Sequence, residues 1–252
     1  MGELEPWSTW ASRWERFQEG YVPCREEQIE IMLRHVAPPA AEGPTALLDI
    51  ASGPGSISRR ALRLLPATDF VNVDADPWLL ALGRRSIGDD RVTWVEADLR
   101  DQRWTDSLPL RRFDAVVTMT AMHWFDEPEL RRLYRDVALL LAPGGRFVCG
   151  DLIPPGAGGS PAGGRALERV FRWQAQQTAR GDREDWVGFW RAARAEPVFR
   201  EVVAYRDRRI GRRRPRRFLS FHGHADALAA AGFHAVDELW RRDAAAILAA
   251  TR

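Results

Sequence analysis

Between Thr45 and Leu152 short apolar runs alternate with segments whose apolar residues recur every three or four positions. The runs are TALLDIA (45–51), DFVNVDA (69–75), RVTWVEA (91–97), FDAVVTM (113–119) and GGRFVCGDL (144–152). Between them lie SRRALRLL (58–65), PWLLALGRR (77–85) and PELRRLYRDVALLL (128–141), which read as helices. Strands alternating with helices demand a parallel sheet. The near-continuous apolar character of the strands predicts that helices cover both faces. Pro77 suits a first helical turn, and Pro143-Gly144-Gly145 is expected to end the long helix before the next strand.

Two further helical stretches, about Ser8 to Glu19 and Arg25 to Val36, precede this region and are closed by Pro38-Pro39. After it, PPGAGGSPAGG (154–164) reads as a flexible connector. Helical segments around Arg165 to Ala179 and Glu184 to Ala204 follow, then a basic loop, then HADALAAAGF (224–233) with Gly232 as a C-cap. The tail, HAVDELW and AAAILAA, predicts an antiparallel hairpin turning at Arg241-Arg242-Asp243. The division expected is a helical lid over 1–40, a core over 41–153 and 222–252, and a helical insertion over 154–221.

The chain has 252 residues, 45% of them hydrophobic, enough for one sizeable core. It contains no lysine, so all 37 cationic side chains are arginine, set against 35 acids. A net charge of +2 excludes binding of a polyanion over the whole surface. Cys24 and Cys149 have no His or Cys neighbours at ligand spacing, so reduced thiols and no metal are expected. The N-terminus lacks a signal-like apolar segment and no run approaches a membrane span, which predicts a cytoplasmic protein without a membrane partner.

Chemistry is written at Leu47 to Ser56, where a strand carrying Asp49 runs into a turn with Gly53 and Gly55 that opens a helix. This is how α/β proteins hold nucleotide-like ligands outside the carboxyl ends of their strands. A nicotinamide fingerprint wants glycine where Ser58 stands, and Asp49 is a poor neighbour for a pyrophosphate. A ligand with an ammonium group and no phosphate fits better. The second strand ends in Asp74, followed by Ala75, at the spacing of a ribose-diol acceptor, and the third ends in Glu96-Ala97-Asp98-Leu99, offering an acid to an adenine amino group. Any one of these acids can be a helix cap; three after successive strands point to a ligand.

These residues resemble the class I S-adenosylmethionine-dependent methyltransferases, over most of the chain. The resemblance implies a Rossmann-like, mostly parallel seven-stranded sheet with helices on both faces, an N-terminal helical lid and a helical insertion before the last two strands. It implies S-adenosyl-L-methionine held by Asp49, Ala51, Gly53 and Gly55 at the methionine end, Asp74 and Ala75 at the ribose, Asp98 and Leu99 at the adenine, with Thr118 nearby. Ala51 departs from the pattern, since many members have glycine there. The segment Thr118 to Phe125 is similar to that of small-molecule members related to trans-aconitate methyltransferases. His123 there can act as general base, or orient a neighbour and pack on Trp124.

Trp7, Trp10, Trp14, Phe17 and Tyr21 share one helical face. That stripe is either a helix packed on the core or a lid over cofactor and substrate, for which the resemblance points to Tyr21 and Arg25. Substrate contacts are expected from Trp14, His123, Trp124, Trp186 and Trp190, the last two in the insertion. The arginine run 206–217 could bind nucleic acid, a phosphorylated carrier or a carboxylated substrate, but it lacks interleaved aromatics and reads rather as a solvated mobile loop. The expected activity is methyl transfer to oxygen, nitrogen or carbon of a small molecule by displacement at the sulfonium methyl. The alternatives are a cofactor-binding protein of the same fold without transfer or with another reaction, and an RNA methyltransferase that uses the arginine run.

Overall fold

The computed structural model describes residues 5–37, 45–179, 184–210 and 215–252. Pro38-Pro39 and the arginines at 212–214 lie outside the described residues. Two helices, α1 (Glu5–Glu19) and α2 (Arg25–Val36), lead into the alternating region. There β1 (Thr45–Ile50), α3 (Ser56–Leu64), β2 (Thr68–Asp74), α4 (Pro77–Ile87) and β3 (Val92–Glu96) form the first half. The second half is β4 (Phe113–Met119), α5 (Glu127–Leu140) and β5 (Leu141–Leu152). Three helices, α6 (Pro161–Ala179), α7 (Trp186–Ala195) and α8 (Arg200–Arg209), make up the insertion, and α9 (Phe221–Ala230), β6 (Ala235–Arg242) and β7 (Ala245–Thr251) close the chain.

The seven strands form one sheet in the order β3-β2-β1-β4-β5-β7-β6, with only β7 running opposite to the other six. The chain winds outward from β1 to β3 and then returns to place β4 on the other side of β1. That reversal opens a crevice outside the carboxyl ends of β1 and β4, where open α/β sheets take their ligands. One face of the sheet buries Leu48, Ile50 and Phe147 against Leu133, Val137 and Leu228 of α5 and α9. The other buries Leu47, Phe70 and Val148 against Ile29, Met32 and Leu33 of α2 and Ile57 of α3. Local signals set the helix starts. Asp76 caps α4 by accepting from the backbone of Trp78 and Leu79 ahead of Pro77, and Asp126 and Glu129 form a reciprocal capping box on α5.

The aromatic stripe of α1 is buried, but against helices and not the sheet. Trp7, Trp10, Trp14 and Phe17 pack with Trp78 and Leu82 of α4 and with Phe189, Trp190 and Phe199 of the insertion. Phe189 is fully buried, stacked on Phe17 at 4.6 Å and edge-on to Trp10 and Trp14. Edge-on and offset aromatic pairs add about 0.5–1.5 kcal/mol each beyond their burial. The stripe therefore joins the first helix, the fourth helix and the insertion into one cluster.

Two local expectations differ from the structure. Pro143-Gly144-Gly145 does not separate helix from strand: β5 begins at Leu141 and carries these residues as a bulge, with register jumping between Phe113↔Leu141 and Ala115↔Arg146. A proline is tolerated in a strand at such an irregularity. The final hairpin turns at Asp243 and Ala244, with Arg241 and Arg242 still in β6. Asp243 has φ 56°, the left-handed conformation a two-residue hairpin loop needs.

Candidate functional site

A cavity of about 1300 Å³ lies over the carboxyl ends of β1, β2, β3, β4 and β5, covered by α1, α7 and α8. Its floor at β1 is made by Ala51 and Gly53, both left-handed at φ 53° and 56°. A non-glycine residue there costs about 1–2 kcal/mol. Ala51, the departure from the family pattern, thus adopts the conformation that glycine adopts freely. Thr120, after β4, is a second strained wall residue at φ 57°, and such strain clusters where a ligand is bound. Gly53 faces the cavity between Trp14 and Leu79. Gly55 has another task, since a Cβ there would lie 2.6 Å from Trp94 and 2.7 Å from Asn72. It lets α3 pack closely and is not on the cavity wall.

Asp49 is 1% exposed, and neither of its carboxylate oxygens has a hydrogen-bond partner. Burial, with the charge of Asp74 second, pushes its carboxyl well above the ordinary range. A buried acid without partners is costly, and a ligand ammonium beside β1 would supply the missing partner. Asp74 accepts the Gly53 N–H at 2.7 Å and the Asp76 N–H at 2.8 Å. Burial and the charge of Asp76 push it up to about 7, against backbone hydrogen bonds from Asp76, Gly53 and Ala75. Ala75, Asp98 and Leu99 line the same end of the cavity, Asp98 half-exposed and 3.5 Å from Arg100. The donor set therefore fits a zwitterionic adenosyl ligand.

At the other end His123 and Asp151 meet. The Nδ1 of His123 is 2.6 Å from Oδ1 of Asp151, whose other oxygen accepts the His123 backbone N–H at 3.2 Å. Burial alone would raise Asp151. The charge of His123, its side-chain hydrogen bond and the N–H groups of Leu152 and His123 outweigh burial and hold the carboxyl below its ordinary range. With Nδ1–H donated to this carboxylate, Nε2 is the ring's free acceptor. Trp124 and Phe218 flank the imidazole at 4.8 Å and 6.1 Å.

Trp14, Tyr21, Trp124, Trp186 and Trp190 all line the cavity. Arg25, Asp49 and Thr118 do not. Arg25 is buried with its guanidinium on Glu15 at 2.6 Å, in a network where Arg60 also reaches Glu15 at 2.8 Å and Ser56 donates to it. That network ties α1 to α2 and α3 and holds Glu15 down at about 2, the two arginines overcoming burial. Thr118 is fully buried within β4.

Three features escaped the sequence reading. Asp151 is one; it stands at the carboxyl end of β5, as the other site acids stand at the ends of earlier strands. The second is a clasp: Arg206 of α8 reaches Asp76 at 2.6 Å while stacked 3.7 Å over Trp190, and Arg209 and Tyr205 meet Glu96 at 3.2 and 3.0 Å. The described start of the arginine run is thus helical and turned onto the ends of β2 and β3, not a solvated loop. The third is Arg216, on the cavity wall. Among the described residues no helix is long and apolar enough to cross a membrane.

The sequence pattern of a family described as "Methyltransferase domain" matches residues 47–145. The chain is 36% identical over 124 residues to a demethylmenaquinone methyltransferase of Clavibacter sepedonicus, covering 48% of this chain and 46% of that one. It is 31% identical over 125 residues to the ubiquinone/menaquinone biosynthesis C-methyltransferase UbiE of a Bradyrhizobium species, covering 48% and 47%. The chain spans about half the length of these curated relatives. The crystal structure of human N-acetylserotonin methyltransferase in complex with S-adenosylmethionine shares the fold at a TM-score of 0.56 and 11% identity, over 93% of this chain and 51% of that one. Residues 47–145 thus carry the sequence pattern of a methyltransferase domain, and the sheet has the fold of S-adenosylmethionine-dependent methyltransferases of known structure.

Proposed function

We propose that the chain transfers the methyl group of S-adenosylmethionine to a small molecule, with His123 as general base and Asp151 as its positioning residue. The observation that carries this reading is the 2.6 Å pairing of His123 with Asp151 on the wall of the same cavity that presents Gly53 and Asp74. When bound, the cofactor supplies an electrophilic methyl on a sulfonium, open to attack by a lone pair. Asp49 is assigned to its ammonium group, Gly53 and Ala51 to close approach of the methionine part, Asp74 to the ribose hydroxyls, and Asp98 with Leu99 to the adenine. Attack neutralises charge, so the cavity must mainly align the acceptor and exclude water. Helices α1, α7 and α8 suit that task as a cover, with Tyr21, Trp14, Trp186 and Trp190 presented to the acceptor. The test is formation of S-adenosylhomocysteine from labelled cofactor over a panel of phenols, acids and amines; a cofactor-loaded protein that turns over none of them overturns the transfer reading.

Asp74 gives this reading a pH signature. Its carboxyl, raised to about 7 in the free protein, must be ionised to accept two hydroxyl donors. Cofactor affinity is therefore expected to hold above pH 7 and to weaken as pH falls through about 7, with net proton release on binding below that point. Asp74→Ala should weaken binding by about 1.5–3 kcal/mol, the usual worth of hydrogen bonds to a charged group, and remove the part of that dependence that Asp74 carries. Calorimetry in two buffers of different ionisation enthalpy checks both. An unchanged affinity in a folded variant removes Asp74 from the ribose role.

A further inference from the structure

Six arginines line the described cavity wall: Arg100, Arg103, Arg194, Arg206, Arg209 and Arg216. The first five each have a carboxylate of the chain itself, on Asp98, Asp106, Asp207, Asp76 and Glu96 respectively. Arg216 has no ion-pair partner among the described residues. Its guanidinium lies 4.9 Å from the Phe171 ring and 5.8 Å from that of Phe218. Phe218 in turn stacks on His123, and the Arg217 N–H donates to the His123 carbonyl at 2.7 Å. A cation is thus fastened, through one ring and one hydrogen bond, beside the base. Burial pulls Arg216 below its ordinary value, with Asp151 and Tyr21 opposing. The Asp151 carboxylate is already engaged by His123 and by the Leu152 N–H.

We propose that Arg216 is the anchor for a carboxylate on the methyl acceptor, and that the acceptor is an aromatic hydroxy acid. This rests on the reading of the cavity as a methyl-transfer site with His123 as base. A planar guanidinium grips a carboxylate through two parallel hydrogen bonds. The indole rings of Trp14, Trp124, Trp186 and Trp190 supply the apolar wall for a flat ring. The carboxylate is the handle and not the methylated group, because its oxygens are engaged by the guanidinium, whereas the hydroxyl is the group with a proton for His123 to remove. The hydroxyl oxygen forms the new bond to the methyl carbon, the carbon–sulfur pair stays with sulfur, and the hydroxyl proton passes to Nε2 of His123. The products are an aryl methyl ether, S-adenosylhomocysteine and a protonated imidazole.

The test compares meta- and para-hydroxybenzoate with their methyl esters, which keep the hydroxyl and lose the charge. Binding to the full chain saturated with S-adenosylhomocysteine is measured by calorimetry, and turnover by product formation. At least one acid is expected to bind about 10-fold or more tighter than its ester. Arg216→Ala should erase that preference by weakening the acid alone, and Arg216→Lys should restore part of it. Equal binding of acid and ester, binding of neither, or a preference that survives Arg216→Ala overturns the proposal. Acids that bind through Arg216 but yield no S-adenosylhomocysteine leave the anion site standing and overturn the transfer reading instead. Esters methylated as well as acids do the reverse.

Discussion

His123→Ala is expected to lower kcat by about 10²-fold or more while cofactor affinity changes little, the usual worth of a positioned base. The acid limb of the pH–rate profile should vanish with the imidazole, and raising the pH should recover part of the rate by ionising the acceptor directly. Asp151→Asn should lower kcat with KM nearly retained. Its carboxylate keeps the proton on Nδ1 and stabilises the imidazolium that forms at 2.6 Å from it. If His123 only positions the acceptor, KM rises and the profile keeps its shape. Wild-type kcat and pH dependence in His123→Ala would exclude the base, leaving catalysis to alignment and desolvation.

Gly53→Val should abolish measurable cofactor binding in a protein that still folds. A Cβ at this position meets Trp14 and Leu79 only at 3.8 and 3.9 Å, so the loss does not come from a clash in the core. It comes from a β-branched residue at φ 56°, where such side chains are outliers, and from filling the wall that the ligand approaches. Gly55→Ala is the contrasting variant. Its Cβ would press into Trp94 and Asn72, so it should lower the unfolding midpoint through the packing of α3 before any direct effect on the cavity. Circular dichroism and calorimetry on both variants separate the two cases. Normal binding by Gly53→Val would place the cofactor elsewhere.

The alternation of strands and helices, the starts of α4 and α5, and the acids at the ends of β1, β2 and β3 were legible in the sequence. Each rests on residues close together in the chain: an apolar run, a capping Asp before Pro77, a carboxylate at the last strand position before a turn. The aromatic stripe of α1 was legible as a buried face, but not the identity of what buries it. Periodicity reports burial and carries no information about the partner surface.

What only the tertiary structure decided are the pairings across distance. His123 and Asp151 meet because β4 and β5 run parallel with Thr118 opposite Cys149 and Met119 opposite Gly150, a register no local signal specifies. Arg206, Arg209 and Arg216 look alike in a run of arginines, yet the fold gives Asp76 to one, Glu96 to the next and no described carboxylate to the last. The sequence by itself determined the elements and the acidic end of the cavity, because those are set by neighbours along the chain. The fold decided which charges remain unpaired and which base is oriented, because a charge's chemistry depends on what stands beside it in space.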